Sequence, residues 1–141
     1  MRCLIDTNIM ISASRNKEGM PYLAFVKAVS FPNQGMVCDQ NLDELRRVYN
    51  RKFPDKLDLL QDFLSFALSV LEVVRTPALD LEVEAKMRDI SDRPILRTAI
   101  AANVDTIITG DKDFLESGIE HPRIVTASEF VREWKENERP L

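Results

Sequence analysis

The chain has 141 residues, 45% of them hydrophobic and 30% charged, with a formal net charge of -4. That length fits one domain and leaves little room for a second, and the apolar content is enough to build a core. The composition excludes a largely disordered or low-complexity chain, and the slight acidic excess argues mildly against a general, charge-driven binder of nucleic acid.

In chain order, Cys3 to Ile5 is a short apolar run closed by Asp6 and predicts a first strand. Because Asp6 interrupts it so early, no signal peptide is expected here. No apolar stretch reaches the roughly 20 residues that cross a bilayer, so a cytoplasmic protein is expected. Thr7 to Ser14 predicts a helix, broken by Asn16 to Gly19. Tyr22 to Ser30 repeats apolar residues at helical spacing, with Pro21 suited to a helix start. Met36 to Cys38 predicts a second strand. The two cysteines, Cys3 and Cys38, lack metal-ligand spacing and are expected as reduced, buried thiols on these two strands.

Asp39 to Lys52 predicts a helix with a stripe of Leu42, Leu45, Val48 and Tyr49, and Asn41 with Glu44 has capping-box spacing. Lys56 to Ser69 predicts a strongly apolar helix, expected mainly as core. Val70 to Val74 is a third strand, Leu81 to Arg88 a helix, and Pro94 to Ala102 another. Thr106 to Thr109 and Ile124-Val125 complete the strands. Thr126 and Glu129 form a capping box for a last helix through Trp134. Strands alternating with helices imply an α/β fold with a central, mostly parallel sheet flanked by helices. A single domain over residues 1–141 is expected, with 136–141 a flexible tail.

In such sheets, ligands bind beyond the carboxyl ends of the strands. Asp6 follows the first strand, and Asp111 and Asp113 follow the fourth. Glu44 sits early in the helix after the second strand, and Asp92 precedes the helix that leads into the fourth. Taken singly, each acid has a structural reading. Asp6 and Asp92 could be helix N-caps, Asp113 a turn cap, and Glu44 the partner of Asn41. Taken together they form a cluster that repels itself unless protons or cations neutralise it. All-oxygen ligands favour Mg2+ or Mn2+ over zinc, and the single His121 offers no softer alternative. Arg88, Arg93 and Arg97 flank Asp92, and Arg93 and Arg97 are the best candidates for contacts to phosphates near such a site; Arg46, Arg47, Arg51 and Lys52 line a second helix.

The segment Leu4-Ile5-Asp6-Thr7-Asn8 resembles the opening of PIN domains, and Thr109-Gly110-Asp111-Lys112-Asp113-Phe114 resembles their late motif. Between them, Asp92-Arg93-Pro94-Ile95-Leu96-Arg97-Thr98-Ala99 and Asp43-Glu44-Leu45 look like the stretches carrying the third and second family acids. The nearest likeness is to the toxins of toxin–antitoxin pairs, relatives of the VapC-type ribonucleases. The resemblance implies a three-layer PIN-like domain and metal-dependent endoribonuclease activity. It implies a metal-binding acidic site of Asp6, Glu44, Asp92 and Asp111, with Asp113 as helper or alternative fourth acid. Asn8 would orient Asp6, and Thr109 would line the site. A cognate antitoxin protein is the implied partner, and homodimers are common in the family. Two other readings stay open: another Mg2+-dependent α/β phosphoester hydrolase, or a catalytically silent PIN-like interaction module.

Overall fold

Three short apolar segments, Cys3 to Ile5, Met36 to Cys38 and Thr106 to Ile108, are buried along their whole length. Continuous burial is what a parallel strand covered on both faces requires. The structure, a computed structural model, describes residues 1–134; the expected tail over 136–141 lies outside them. Five strands form one sheet in the order β3-β2-β1-β4-β5. These are β1 Arg2–Ile5, β2 Gln34–Cys38, β3 Glu72–Val74, β4 Thr106–Ile108 and β5 Arg123–Val125. Every pairing is parallel, with Leu4 opposite Met36 on one side and Ile107 on the other.

Successive side chains of a strand point to opposite faces, which divides the core in two. Cys3, Ile5, Val37 and Ile108 face α1 Thr7–Arg15, α2 Met20–Val29, α3 Asp39–Lys52, α4 Leu57–Val70 and α7 Ala127–Arg132. Leu4, Met36, Cys38 and Ile107 face α5 Arg93–Ala101, together with Met87 and with Phe114 of α6 Lys112–Leu115. The result is a three-layer α/β domain. Both cysteines are buried and unbridged, Cys3 on β1 and Cys38 on β2. No helix among the described residues is long and apolar enough to cross a membrane.

Four sequence expectations need correction. Asn41 does not cap α3: the cap residue is Cys38, and Asn41 lies fully buried inside the helix. Residues expected as a helix from Leu81 to Arg88 form only a short 3-10 turn, Glu82–Lys86. Of the apolar helix α4, only Leu60, Phe63 and Ala67 are buried, while Leu57, Leu59, Phe66, Leu68 and Val70 are exposed. The sheet it covers is short, so one face of the helix suffices for the core. The third strand begins at Glu72 rather than Val70, because α4 runs on to Val70. The last helix does start as expected, with the Thr126 hydroxyl accepting from the Glu129 amide at 3.1 Å.

Candidate active site

Parallel strands β1 and β4 end side by side, which puts Asp6 next to the turn that carries Asp111. Asp6 is only 3% exposed, and its carboxylate accepts four hydrogen bonds, two on each oxygen. The Thr7 amide (2.8 Å) and the Asn41 amide group (3.2 Å) donate to Oδ1. The Thr109 hydroxyl (2.7 Å) and the Asn8 amide group (3.3 Å) donate to Oδ2. Burial is the main reason its pKa rises to about 6; the bonds from Thr109 and Thr7 oppose the rise, while the charges of Glu44 and Asp111 add to it.

Glu44 joins this group through Thr7. The Asn41 side chain donates to the Thr7 hydroxyl at 2.8 Å, and that hydroxyl donates to Glu44 at 3.1 Å. Thr109 connects to the other half of the site: besides donating to Asp6, its hydroxyl accepts from the Asp111 amide at 3.0 Å. Asn8 fastens the ends of β1 and β4 together, since its side-chain oxygen also accepts from the Gly110 amide at 3.0 Å.

The second half of the site is a nest of four carboxylates. One oxygen each of Asp89, Asp92, Asp111 and Asp113 lies within 4.8 Å of the other three. Burial first, and the neighbouring carboxylate of Asp111 next, push the Asp92 pKa up to about 8. Its Oδ2 is buried and has no hydrogen-bond partner among the described residues. A buried carboxylate oxygen left unpaired is costly. An oxygen-only donor set with one such orphan suits a hard divalent cation. Asp111 also caps α6, accepting from the Asp113 amide at 2.9 Å. Asp113 pairs with Arg88 at 3.0 Å, and Arg88 reaches Glu116 at 2.7 Å.

The expected arginines are placed differently. Arg97 turns away from the acids: its guanidinium pairs with Glu84 at 2.8 Å and Asp80 at 2.6 Å and donates to the Pro77 carbonyl at 2.9 Å. Arg93 uses Nε on the Met87 carbonyl at 3.0 Å. Arg47 and Arg51 of α3, by contrast, line a groove with Gln40, Glu44, Ser91 and Pro94.

The PIN domain family profile matches residues 2–113, which contain all of these acids. The chain is a PIN domain. Among solved structures, VapBC2 from Rickettsia felis, crystallised with a DNA fragment from their promoter, is similar at TM-score 0.67 and 22% identity. The match covers 89% of this chain and 98% of that one. PAE2754 from Pyrobaculum aerophilum is similar at TM-score 0.59 and 11% identity, covering 94% of each chain. At such identities the likeness is one of fold. No curated protein matches in sequence.

Two residues of this PIN domain's site, Asn41 and Asp89, lie outside the motifs, and Thr7 lies inside the first of them with no role assigned by it. Asn41 precedes Glu44 by three positions, which puts both on one helix face, and the same spacing reads as a capping box. Asp89 stands three before Asp92 and caps the turn that leads into α5, accepting from the Ser91 amide at 2.9 Å.

The two raised carboxyls fix a pH dependence. Each binds a proton more tightly in the folded state than in the unfolded chain, where the ordinary value is 3.8. Without metal, stability should therefore fall as pH rises from about 4 through 6 for Asp6, and on towards 8 for Asp92. For Asp6 alone the loss is on the order of 2–3 kcal/mol. Melting curves from pH 5 to 8 in EDTA should show a falling Tm. A metal-free Tm that climbs over that range would contradict this account.

Proposed function

We propose that this PIN domain is a Mg2+- or Mn2+-dependent endoribonuclease, the cytoplasmic toxin of a toxin–antitoxin pair. The observation that carries the metal dependence is the buried, unpartnered oxygen of Asp92 among three further carboxylates. Family membership supports the nuclease reading, and the VapC-like motifs of the sequence support the toxin reading, with a cognate antitoxin as partner.

Asp92 and Asp111, with Asp6, Glu44 and Asp113 around them, are the residues that would hold the cation. When bound, the cation supplies a Lewis acid for the phosphodiester and a more acidic water as nucleophile. Asp6 is held in one orientation by its four donors, so little reorganisation is left for the reaction. Thr109 couples that orientation to the backbone at Asp111. Glu44 lines the same groove as Arg47 and Arg51, whose charges suit successive phosphates of a single RNA strand. Arg97 is held by Glu84 and Asp80, and of the two arginines beside Asp92 Arg93 is the one whose terminal guanidinium nitrogens have no partner among the described residues.

Purified protein should cut RNA with Mg2+ and leave it intact in EDTA; RNA left intact with Mg2+ overturns the proposal in favour of a silent module. Binding of an uncleavable RNA should also require Mg2+, because the bare acids repel phosphate. An Arg47→Ala, Arg51→Ala pair should weaken that binding and flatten its salt dependence by up to about two charges. Equal affinity for the pair and the wild type would take the groove out of the RNA path.

A further inference from the structure

We infer that Asp89 joins Asp92, Asp111 and Asp113 to form a four-carboxylate position for one hard divalent cation. This rests on the reading of the site as metal-binding and adds a ligand that the family motifs do not mark.

Three observations carry it. First, the four oxygens lie within 4.8 Å of one another. Metal–oxygen distances of 2.0–2.6 Å place opposite ligands of one ion about 4–5 Å apart, so a single cation can reach all four. Second, Asp92 is 7% exposed and its Oδ2 has no partner among the described residues. Among the described residues, the four acids have one ion pair between them, Arg88 with Asp113. Four carboxylates with one exposed counter-charge need protons or a further cation to neutralise them, and the unpartnered Oδ2 of Asp92 favours the cation.

Third, Asp89 is held in place. Its Oδ1 accepts from the amide and the hydroxyl of Ser91, at 2.9 and 2.7 Å, and its carbonyl accepts from the Asp92 amide at 3.2 Å. No described donor reaches its second oxygen. The turn that positions Asp92 therefore also sets the Asp89 carboxylate, so a cation meets an arranged pair instead of ordering a loose one. Asp6 differs: both of its oxygens already carry two donors each.

Asp89→Asn separates ligand from cap, because asparagine is as good an N-cap as aspartate and keeps the bond from Ser91 while losing the charge. Mn2+ titration of the free protein, read by calorimetry and by the resonance of unbound Mn2+, needs no RNA. The variant should melt like the wild type in EDTA and bind Mn2+ at least about tenfold more weakly, the loss that even an outer-sphere partner of a ligand brings. Asp89→Ser, another good cap, should behave the same way. Mn2+ affinity equal to wild type in both variants overturns the inference, as does a wild type that binds no Mn2+. If the wild type binds Mn2+ through Asp89 but leaves RNA uncut, the ribonuclease reading fails and this one stands.

Discussion

Asp6→Asn should reduce Mg2+-dependent RNA cleavage by at least about a hundredfold, the scale on which single groups at reacting centres act. The folded state should survive. The amide removes a buried charge whose pKa is raised to about 6 by burial, which stabilises. It also keeps only one acceptor oxygen and turns the other position into a donor. The Thr109 hydroxyl can rotate to accept, but the Asn8 amide group cannot, since the other end of that side chain holds Gly110. One hydrogen bond is then lost, at about 1 kcal/mol, against relief of 2–3 kcal/mol at pH 8. A metal-free Tm within a few degrees of wild type, or slightly above it, is the expected reading. A collapse in Tm together with activity would make Asp6 a structural N-cap of α1 and nothing more.

The largest effect on stability should come from Arg97→Ala. Glu84 is 3% exposed, and among the described residues Arg97 is its only ion-pair partner, with two hydrogen bonds to it of 3.0 and 2.8 Å. Removing the guanidinium leaves that buried carboxylate with the Leu81 amide as its remaining described donor, which costs about 3 kcal/mol. It also frees the Pro77 carbonyl. The exposed Asp80 contact adds little. A domain of this size has about 5–15 kcal/mol in total, so the variant should sit near its threshold at 37 °C. Denaturant unfolding measures this directly. The paired variant Arg97→Met, Glu84→Leu, which removes both charges, should recover most of the loss. If Arg97→Ala costs under 1 kcal/mol, the pair is as weakly coupled as a surface bridge.

The same arginine shows where sequence reading stops. β1 and β4 are legible because a strand buried on both faces must be apolar throughout, and each of these runs is closed by an acid. The register that brings Asp6 beside Asp111 follows from that pattern alone. Around Arg97 the pattern carries less. Leu81, Val83, Glu84 and Met87 look like one face of a helix, but the partner of Glu84 lies thirteen residues away, and periodicity has no term for it. The segment makes that ion pair from a 3-10 turn that stops at Lys86. Asn41 shows a second kind of ambiguity. The spacing that makes a capping box also places two side chains on one helix face, and only the position of the true cap, Cys38, decides between them. The α4 helix shows a third: apolar residues state what can be buried, while the width of the sheet decides how many are.

The strand order also determines when this site can exist during synthesis. β1 is flanked by β2, made soon after it, and by β4, made some hundred residues later. A growing chain can pair β1, β2 and β3 while the far edge of β1 waits open. Asp6 then has Thr7, Asn8 and Asn41 nearby but lacks Thr109, and Asp92 lacks Asp111. The ribosome must release the turn after β4 before the two halves of the carboxylate site share a wall. Until that moment the nascent polypeptide carries most of its acids and none of their joint chemistry, a delay written into the order of the strands.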